Sequence, residues 1–278
     1  MPYVTINGIR LHYELRGDPK APPVLLHPGL GGTQLSWSPV ASRLELSHRL
    51  ILFDPRDVGE SGRATKPYAI ADLASDVVGL LDHLALASVD VVGLSMGGAV
   101  AQELAITYPA RVRRLVLLAT YDSGDPRGTF VFRHLAHLRR TLPREDFTRL
   151  LLPWLYTHEE LSAPGVNPEA IVARMLEEPN IQESEAYERQ MEATIAFHSR
   201  DRLDRIRCPT LLVFGDDDLF TPMRFARSLS QRIRGSRLEV LSGAGHALAW
   251  TRSKEVASLI HSFLSEQMGK EPAPRKKR

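Results

Sequence analysis

The chain has 278 residues, of which 43% are hydrophobic and 24% charged, and its formal net charge at pH 7 is +2. These are ordinary values for a globular protein, and they exclude a disordered, collagen-like or coiled-coil chain. Residues 270–278 carry five basic side chains against one acidic one, so the remaining chain is nearly neutral. That balance excludes a nucleic-acid-binding surface.

A β-hairpin is the first predicted element, because two short β patterns flank Asn7-Gly8, a pair that suits a tight turn. An amphipathic helix is predicted over residues 70–86 and a small-residue helix over residues 97–108. Four short apolar runs are predicted to be buried strands: residues 24–26, 50–53, 89–92 and 112–118. Strands that alternate with amphipathic helices indicate a mostly parallel sheet covered by helices on both faces.

This alternation is interrupted by a segment of about eighty residues that shows helical patterns and no convincing strand. The alternation resumes with a strand over residues 210–214, a helix over 222–233, a strand over 238–241 and a helix over 253–264. We therefore predict an α/β core domain of residues 1–124 and 206–268. A helical insertion of residues 125–205 interrupts it, and a disordered basic tail of residues 269–278 follows it.

The strongest local motif is a Gly-x-Ser-x-Gly sequence over residues 93–97, placed between a predicted strand and a predicted helix. A serine on such a sharp turn has a strained backbone, and its hydroxyl projects from the edge of the sheet. Ser95 is thus the candidate nucleophile. The amide of Met96 lies at the start of the helix, where it can stabilise an oxyanion.

A serine nucleophile needs a general base and a carboxylate that orients the base. His246 is the candidate base, because it follows the last strand in a loop whose glycines allow close approach to the serine. Three adjacent acids, Asp216, Asp217 and Asp218, follow the strand over residues 210–214. They cannot all contact one imidazole, and composition alone does not choose among them.

With these motifs the chain resembles the α/β-hydrolase-fold serine hydrolases, in which nucleophile, acid and base follow in this order. The likeness covers roughly residues 3–268, and the insertion corresponds to the family's helical cap. The family's Gly-x-x-Asp-x-x-x-Pro pattern matches Gly215, Asp218 and Pro222 and selects Asp218 as the acid. Some relatives carry the acid one strand earlier, which leaves Asp122 as the second candidate.

The resemblance also implies an oxyanion loop at Pro28-Gly29-Leu30, where the amide of Leu30 would be the second donor. His27 lies one residue before the family's histidine position and is interpreted as structural. Residues 54–61 resemble the family's Asp-x-Arg-Gly-x-Gly-x-Ser turn, with Asp57 in place of the first glycine. This turn is expected to be architectural.

The predicted activity is hydrolysis of carboxylic esters of small to medium apolar substrates through a Ser95 acyl-enzyme, with no metal or organic cofactor. A lactone or enol-lactone is the main alternative substrate, because residues 68–118 resemble the 3-oxoadipate enol-lactonases. Carbon–carbon bond hydrolases and cofactor-independent perhydrolases share the same machinery. A non-catalytic small-molecule receptor is the alternative from a different class.

The expected partner is a small-molecule ester or lactone, with no nucleic acid and no membrane, bound by a monomer or homodimer. The chain shows neither a signal peptide nor a run of about 18 apolar residues. A cytoplasmic location is therefore predicted.

Overall fold

The computed structural model describes residues 2–178 and 182–266. Eight strands form one sheet: β1 (Tyr3–Ile6), β2 (Ile9–Arg16), β3 (Pro23–His27), β4 (Arg49–Phe53), β5 (Val89–Leu94), β6 (Val112–Leu118), β7 (Thr210–Gly215) and β8 (Arg237–Leu241). Their order across the sheet is β1-β2-β4-β3-β5-β6-β7-β8. The pairs β1–β2 and β2–β4 are antiparallel and the other five pairs are parallel, so the prediction of a mostly parallel sheet is confirmed.

The central strands are buried on both faces because their apolar side chains alternate between two hydrophobic clusters. In β3, Leu25 belongs to one cluster, whereas Val24 and Leu26 belong to the other. The two-residue period of a strand produces this division. Continuous apolar runs, rather than polar–apolar alternation, are the sequence pattern of such strands.

Six helices outside the insertion cover the two faces: α1 (Ser38–Leu44), α2 (Ile70–His83), α3 (Met96–Thr107), α9 (Met223–Arg232), α10 (Leu248–Thr251) and α11 (Ser253–Ser265). Helices α2, α3 and α9 supply the first cluster, and α1, α10 and α11 supply the second. Neither α1 nor α10 is predicted from the sequence, because helices of 7 and 4 residues are too short for periodicity to show.

The insertion between β6 and β7 contains α4 (Pro126–Thr141), α5 (Arg144–Leu155), α6 (His158–Ser162), α7 (Pro168–Leu176) and α8 (Ser184–Ala196). Helices α4, α5 and α8 form a third cluster around Leu135, Phe147, Tyr187 and Met191. We call the segment 126–196 the cap. A 3₁₀ helix over Arg200–Arg205 follows it, and its Leu203 belongs to the first cluster of the sheet.

Two further expectations concern the ends of the chain and the membrane. The predicted basic tail, residues 269–278, lies outside the described residues. In the described part of the chain, none of the helices has the length and apolar character that a membrane span requires.

Candidate active site

Ser95 lies on the sharp turn between β5 and α3, with φ 55° and ψ −117°. Only glycine fits two residues on either side: a Cβ at Gly93 would lie 2.3 Å from the Gly97 carbonyl oxygen, and a Cβ at Gly97 would lie 2.3 Å from the His27 carbonyl oxygen. The turn is held by the Ser95 N–H, which donates to the Leu118 carbonyl at 2.9 Å. The Thr120 hydroxyl donates to the Ser95 carbonyl at 2.6 Å. Neighbouring strands thus maintain a conformation that is strained by itself.

The structure brings Ser95, His246 and Asp218 together. His246 Nε2 lies 3.0 Å from Ser95 Oγ, and His246 Nδ1 lies 2.7 Å from Asp218 Oδ2. The Asp218 carboxylate also accepts hydrogen bonds from the Phe220 and Thr221 amides at 2.8 and 2.9 Å and from the Thr221 hydroxyl at 2.6 Å. Burial alone would raise the pKa of Asp218, but His246 and Thr221 outweigh it and hold that pKa below its ordinary value. The carboxylate therefore stays ionised beside the imidazole.

The other candidate acids lie elsewhere. Asp216 and Asp217 are exposed, and the Asp216 carboxylate accepts from the Gly243 amide at 2.7 Å. Asp122 is fully buried, but its carboxylate pairs with the Arg200 guanidinium through two contacts of 3.0 Å. Of these carboxylates, only that of Asp218 contacts His246.

The two proposed oxyanion donors flank the serine. Met96 is the first residue of α3, so its N–H belongs to the first turn, which has no acceptor within the helix. Leu30 follows Gly29, at which a Cβ would lie 3.3 Å from Ser95 Cβ. The loop between β3 and Thr33 therefore passes directly over the nucleophile. No group of three or more potential metal ligands occurs in residues 2–178 and 182–266.

Comparison with known proteins decides the family. The family model described as the alpha/beta hydrolase fold matches residues 22–253, which is most of the chain. The chain belongs to the α/β-hydrolase family.

Three similar proteins illustrate the range of this family. This chain is 33% identical over 263 residues to a protein of Variovorax paradoxus (strain S110) named carbamate hydrolase RutD. The match covers 92% of this chain and 96% of that protein. It is 30% identical over 261 residues to the poly(3-hydroxyalkanoate) depolymerase of Ectopseudomonas oleovorans, in a match that covers 90% of this chain and 87% of the depolymerase. The solved structure of the enol-lactonase of Burkholderia xenovorans LB400 superimposes on this chain with a TM-score of 0.87 at 29% identity. The superposition covers 95% of this chain and 100% of the enol-lactonase chain. The protein is therefore a hydrolase.

His27 of this α/β hydrolase is buried beneath the oxyanion loop. Its Nδ1 lies 2.9 Å from the Pro28 carbonyl, and its ring packs edge-on against Phe53 with 5.1 Å between centroids. Burial lowers the pKa of His27 to about 4, so the ring is neutral near pH 7. No contact joins it to Ser95 or His246, and the structural interpretation of His27 agrees with this geometry.

An aromatic wall stands beside His246 and consists of Phe132, Trp154 and Phe220. The Phe220 ring stacks on Phe132 and on Trp154, with centroids 5.6 and 5.5 Å apart. It meets the His246 ring at an interplanar angle of 71°, with 5.2 Å between the two centroids. Phe132 and Trp154 come from the cap, whereas Phe220 lies two residues after Asp218. Phe220 is not among the residues predicted from the sequence, although its position in the Asp218 loop was a signal that could have identified it.

The cap also holds the loop that carries His246. The Ala247 N–H donates to the Leu155 carbonyl at 2.9 Å, and the Thr157 hydroxyl donates to the Gly243 carbonyl at 3.2 Å. The last residue of α5 and the N-cap residue of α6 are therefore hydrogen-bonded to the two sides of the histidine. The loop that carries the candidate base is thus supported by the insertion as well as by the sheet.

Proposed function

We propose that the protein is a serine hydrolase that cleaves carboxylic esters through an acyl-enzyme on Ser95. The observation that carries this proposal is the continuous chain of contacts from Ser95 Oγ through the His246 ring to Asp218, at 3.0 and 2.7 Å. This is the arrangement that activates a hydroxyl for attack on a carbonyl carbon.

In acylation, His246 Nε2 takes the proton of Ser95 as its Oγ attacks the ester carbonyl carbon. The amides of Leu30 and Met96 stabilise the oxyanion that forms, and ionised Asp218 stabilises the imidazolium. The imidazolium then gives its proton to the leaving alkoxide, and the alcohol departs. In deacylation, His246 takes a proton from water, whose oxygen attacks the acyl carbon. The imidazolium then returns this proton to Ser95 Oγ as the bond between Oγ and the acyl carbon breaks, and the acid is released.

The aromatic wall supports an apolar acyl or alcohol group in the substrate. Phe132, Trp154 and Phe220 offer stacked apolar faces next to His246. Such surfaces bind apolar groups, whereas the few polar groups of the site orient the reacting carbonyl.

A lactone is the second candidate substrate, and the likeness to the enol-lactonase favours it. A lactone is a cyclic ester, so the same residues would open it, and the leaving alkoxide would stay joined to the acyl group. A panel of p-nitrophenyl esters, an enol-lactone and an aryl carbamate separates these substrates by kcat/KM. The carbamate is included because of the relative named carbamate hydrolase.

Replacing the nucleophile tests the proposal. Ser95→Ala should lower kcat for p-nitrophenyl butyrate by roughly 10⁴-fold or more, because no other group takes over the attack. Ser42→Ala is the matched control, since Ser42 lies exposed on α1 and its hydroxyl donates to the Pro39 carbonyl at 3.3 Å. Both variants should melt like the parent. Near-normal turnover by folded Ser95→Ala would overturn the proposal, and no turnover by the parent would favour the receptor hypothesis.

A further inference from the structure

Asp57 occupies a backbone conformation that ordinarily favours glycine. Its φ is +68°, its side chain is fully buried, and the family pattern has glycine at this position. A side chain held in this region costs free energy, so it persists where other contacts compensate. The Asp57 carboxylate accepts a hydrogen bond from the Ala64 amide at 2.8 Å. A further partner of this carboxylate comes from the cap.

That partner is Arg189 of α8. Its Nε and Nη2 donate to the two oxygens of Asp57 at 2.9 and 2.8 Å, in a two-point ion pair. The Arg189 side chain is only 22% exposed, and that of Asp57 is not exposed at all. A two-point guanidinium–carboxylate contact fixes orientation as well as distance. The ion pair therefore fastens α8 to the turn of residues 54–61.

The next residue on α8 contacts the oxyanion loop. Gln190 is fully buried, and its Oε1 accepts a hydrogen bond from the Gly31 amide at 2.7 Å and another from the Gln182 side chain at 3.1 Å. Gly31 directly follows Leu30, the proposed oxyanion donor, and has a φ of +71°. Apolar contacts accompany this bond, because Leu30 packs against the cap cluster that contains Tyr187 and Met191 of the same helix.

We propose that α8 completes the oxyanion hole from the cap side. Gln190 is the positioning residue for the Leu30 amide. The Arg189–Asp57 ion pair, which we call the latch, holds α8 against the turn of residues 54–61. This inference rests on the proposed acyl transfer, because an oxyanion hole has a role only there. Gln190 acts through Gly31 and does not touch the substrate. The packing of α8 on the core domain and the position of the Leu30 amide are then coupled.

The first test replaces Gln190 by Met, which has similar length and no acceptor for the Gly31 amide. Removing an oxyanion donor costs about 10²–10³ in kcat, and displacing one should cost less, roughly 10- to 100-fold. We expect kcat for p-nitrophenyl butyrate to fall by this factor with KM changed little. Affinity for butylboronic acid, which forms a tetrahedral adduct on serine, should fall in parallel.

The second test removes the latch without requiring a buried amide to be replaced. Asp57→Gly places glycine at a φ of +68°, so the turn should fold without strain. Asp57→Gly and Arg189→Met should each lower kcat and boronate affinity as Gln190→Met does. The double variant should lose little more than either single one, since both remove the same contact. Arg133→Met is the matched control, because Arg133 pairs with Glu192 on the exposed cap surface.

Both tests use the full chain and keep this inference separate from the proposed function. If the parent neither hydrolyses esters nor binds the boronate, the proposed function fails. If the parent does both and folded latch variants retain its kcat and boronate affinity, only the role of α8 is overturned. A fall in melting temperature with unchanged kcat would likewise overturn it, because a purely structural contact predicts that result.

Discussion

Two buried aspartates follow neighbouring strands, and their partners give them different roles. Asp218 contacts His246 at 2.7 Å, whereas the Asp122 carboxylate pairs with Arg200. The distinction lies in the partner and not in burial, because both side chains are almost completely buried. Substitution by asparagine keeps the shape of each side chain and removes its charge.

Asp218→Asn should lower kcat by roughly 10⁴-fold, the cost of the same change in serine proteases, because the imidazolium loses its partner and the wrong tautomer is favoured. Asp122→Asn should leave kcat nearly unchanged. It should reduce the free energy of unfolding by on the order of 1–3 kcal/mol, since Arg200 loses a charged acceptor. Ester kinetics measure kcat of both variants, and thermal melting compares their stability. A collapse of kcat in folded Asp122→Asn alone would show that the acid is misassigned.

His27 should make stability depend on pH. Its pKa is lowered to about 4 in the folded protein, and an exposed histidine has a pKa of about 6.5. Between these values the unfolded chain binds a proton that the folded protein does not. The stabilisation is therefore complete above about pH 6.5, and about 2 kcal/mol of it is lost at pH 5.

His27→Asn keeps a donor near the Pro28 carbonyl and removes this titration. Urea denaturation at pH 7 and pH 5 should show the parent losing about 2 kcal/mol more than the variant. Equal losses in the two proteins would contradict the buried, neutral state of His27.

At the scale of elements, the turn between β5 and α3 depends on close backbone approach. A Cβ at Gly97 would lie 2.3 and 2.5 Å from the carbonyl oxygens of His27 and Pro28, so β3 and α3 would have to separate. Gly97→Ala should cost at least about 3 kcal/mol of stability, at the upper end of single substitutions. Gly165→Ala is the control, because its φ is +82° but no atom lies within 4 Å of the added Cβ.

The control should cost only about 1 kcal/mol, the strain of a side chain at positive φ without a clash. Thermal unfolding compares the two variants. Similar losses for Gly97→Ala and Gly165→Ala would mean that the turn can relax and that glycine is not required there.

The elements that the sequence predicts best are those with a local signal. Apolar runs in the sequence predict β5 and β6 to within a few residues. The glycines around Ser95 predict the turn and the start of α3. The contacts of α8 depend instead on where a distant segment packs: Gln190 and Gly31 are 159 residues apart in the chain. Hydrophobic periodicity is a local signal and cannot predict a contact between residues so far apart in the sequence. Similarly, the choice among Asp216, Asp217 and Asp218 required a family pattern, because neighbouring acids look alike in sequence.

At the scale of the whole molecule, the cap and the sheet share the site. The cap bonds the His246 loop through Leu155 and Thr157, and it bonds the oxyanion loop through Gln190. The cap also contributes Phe132 and Trp154 to the aromatic wall. Changes in the cap should therefore alter substrate preference as well as rate.

Phe132→Ala should reduce kcat/KM for p-nitrophenyl hexanoate about 10-fold more than for the acetate, because we expect only the longer acyl chain to reach the wall. Phe130→Ala is the matched control on the same helix, since the Phe130 side chain is 78% exposed. That variant should keep the parent's ratio of the two esters. An unchanged ratio in Phe132→Ala would show that the acyl chain lies elsewhere.

Covalent labelling tests whether Ser95 is the nucleophile. The parent is treated with an organophosphate ester, and residual ester hydrolysis is measured beside peptide mass spectrometry. We expect one label per chain, located on Ser95, and a loss of hydrolysis in proportion to labelling. A label on any other residue, or complete labelling of Ser95 with hydrolysis intact, would contradict it.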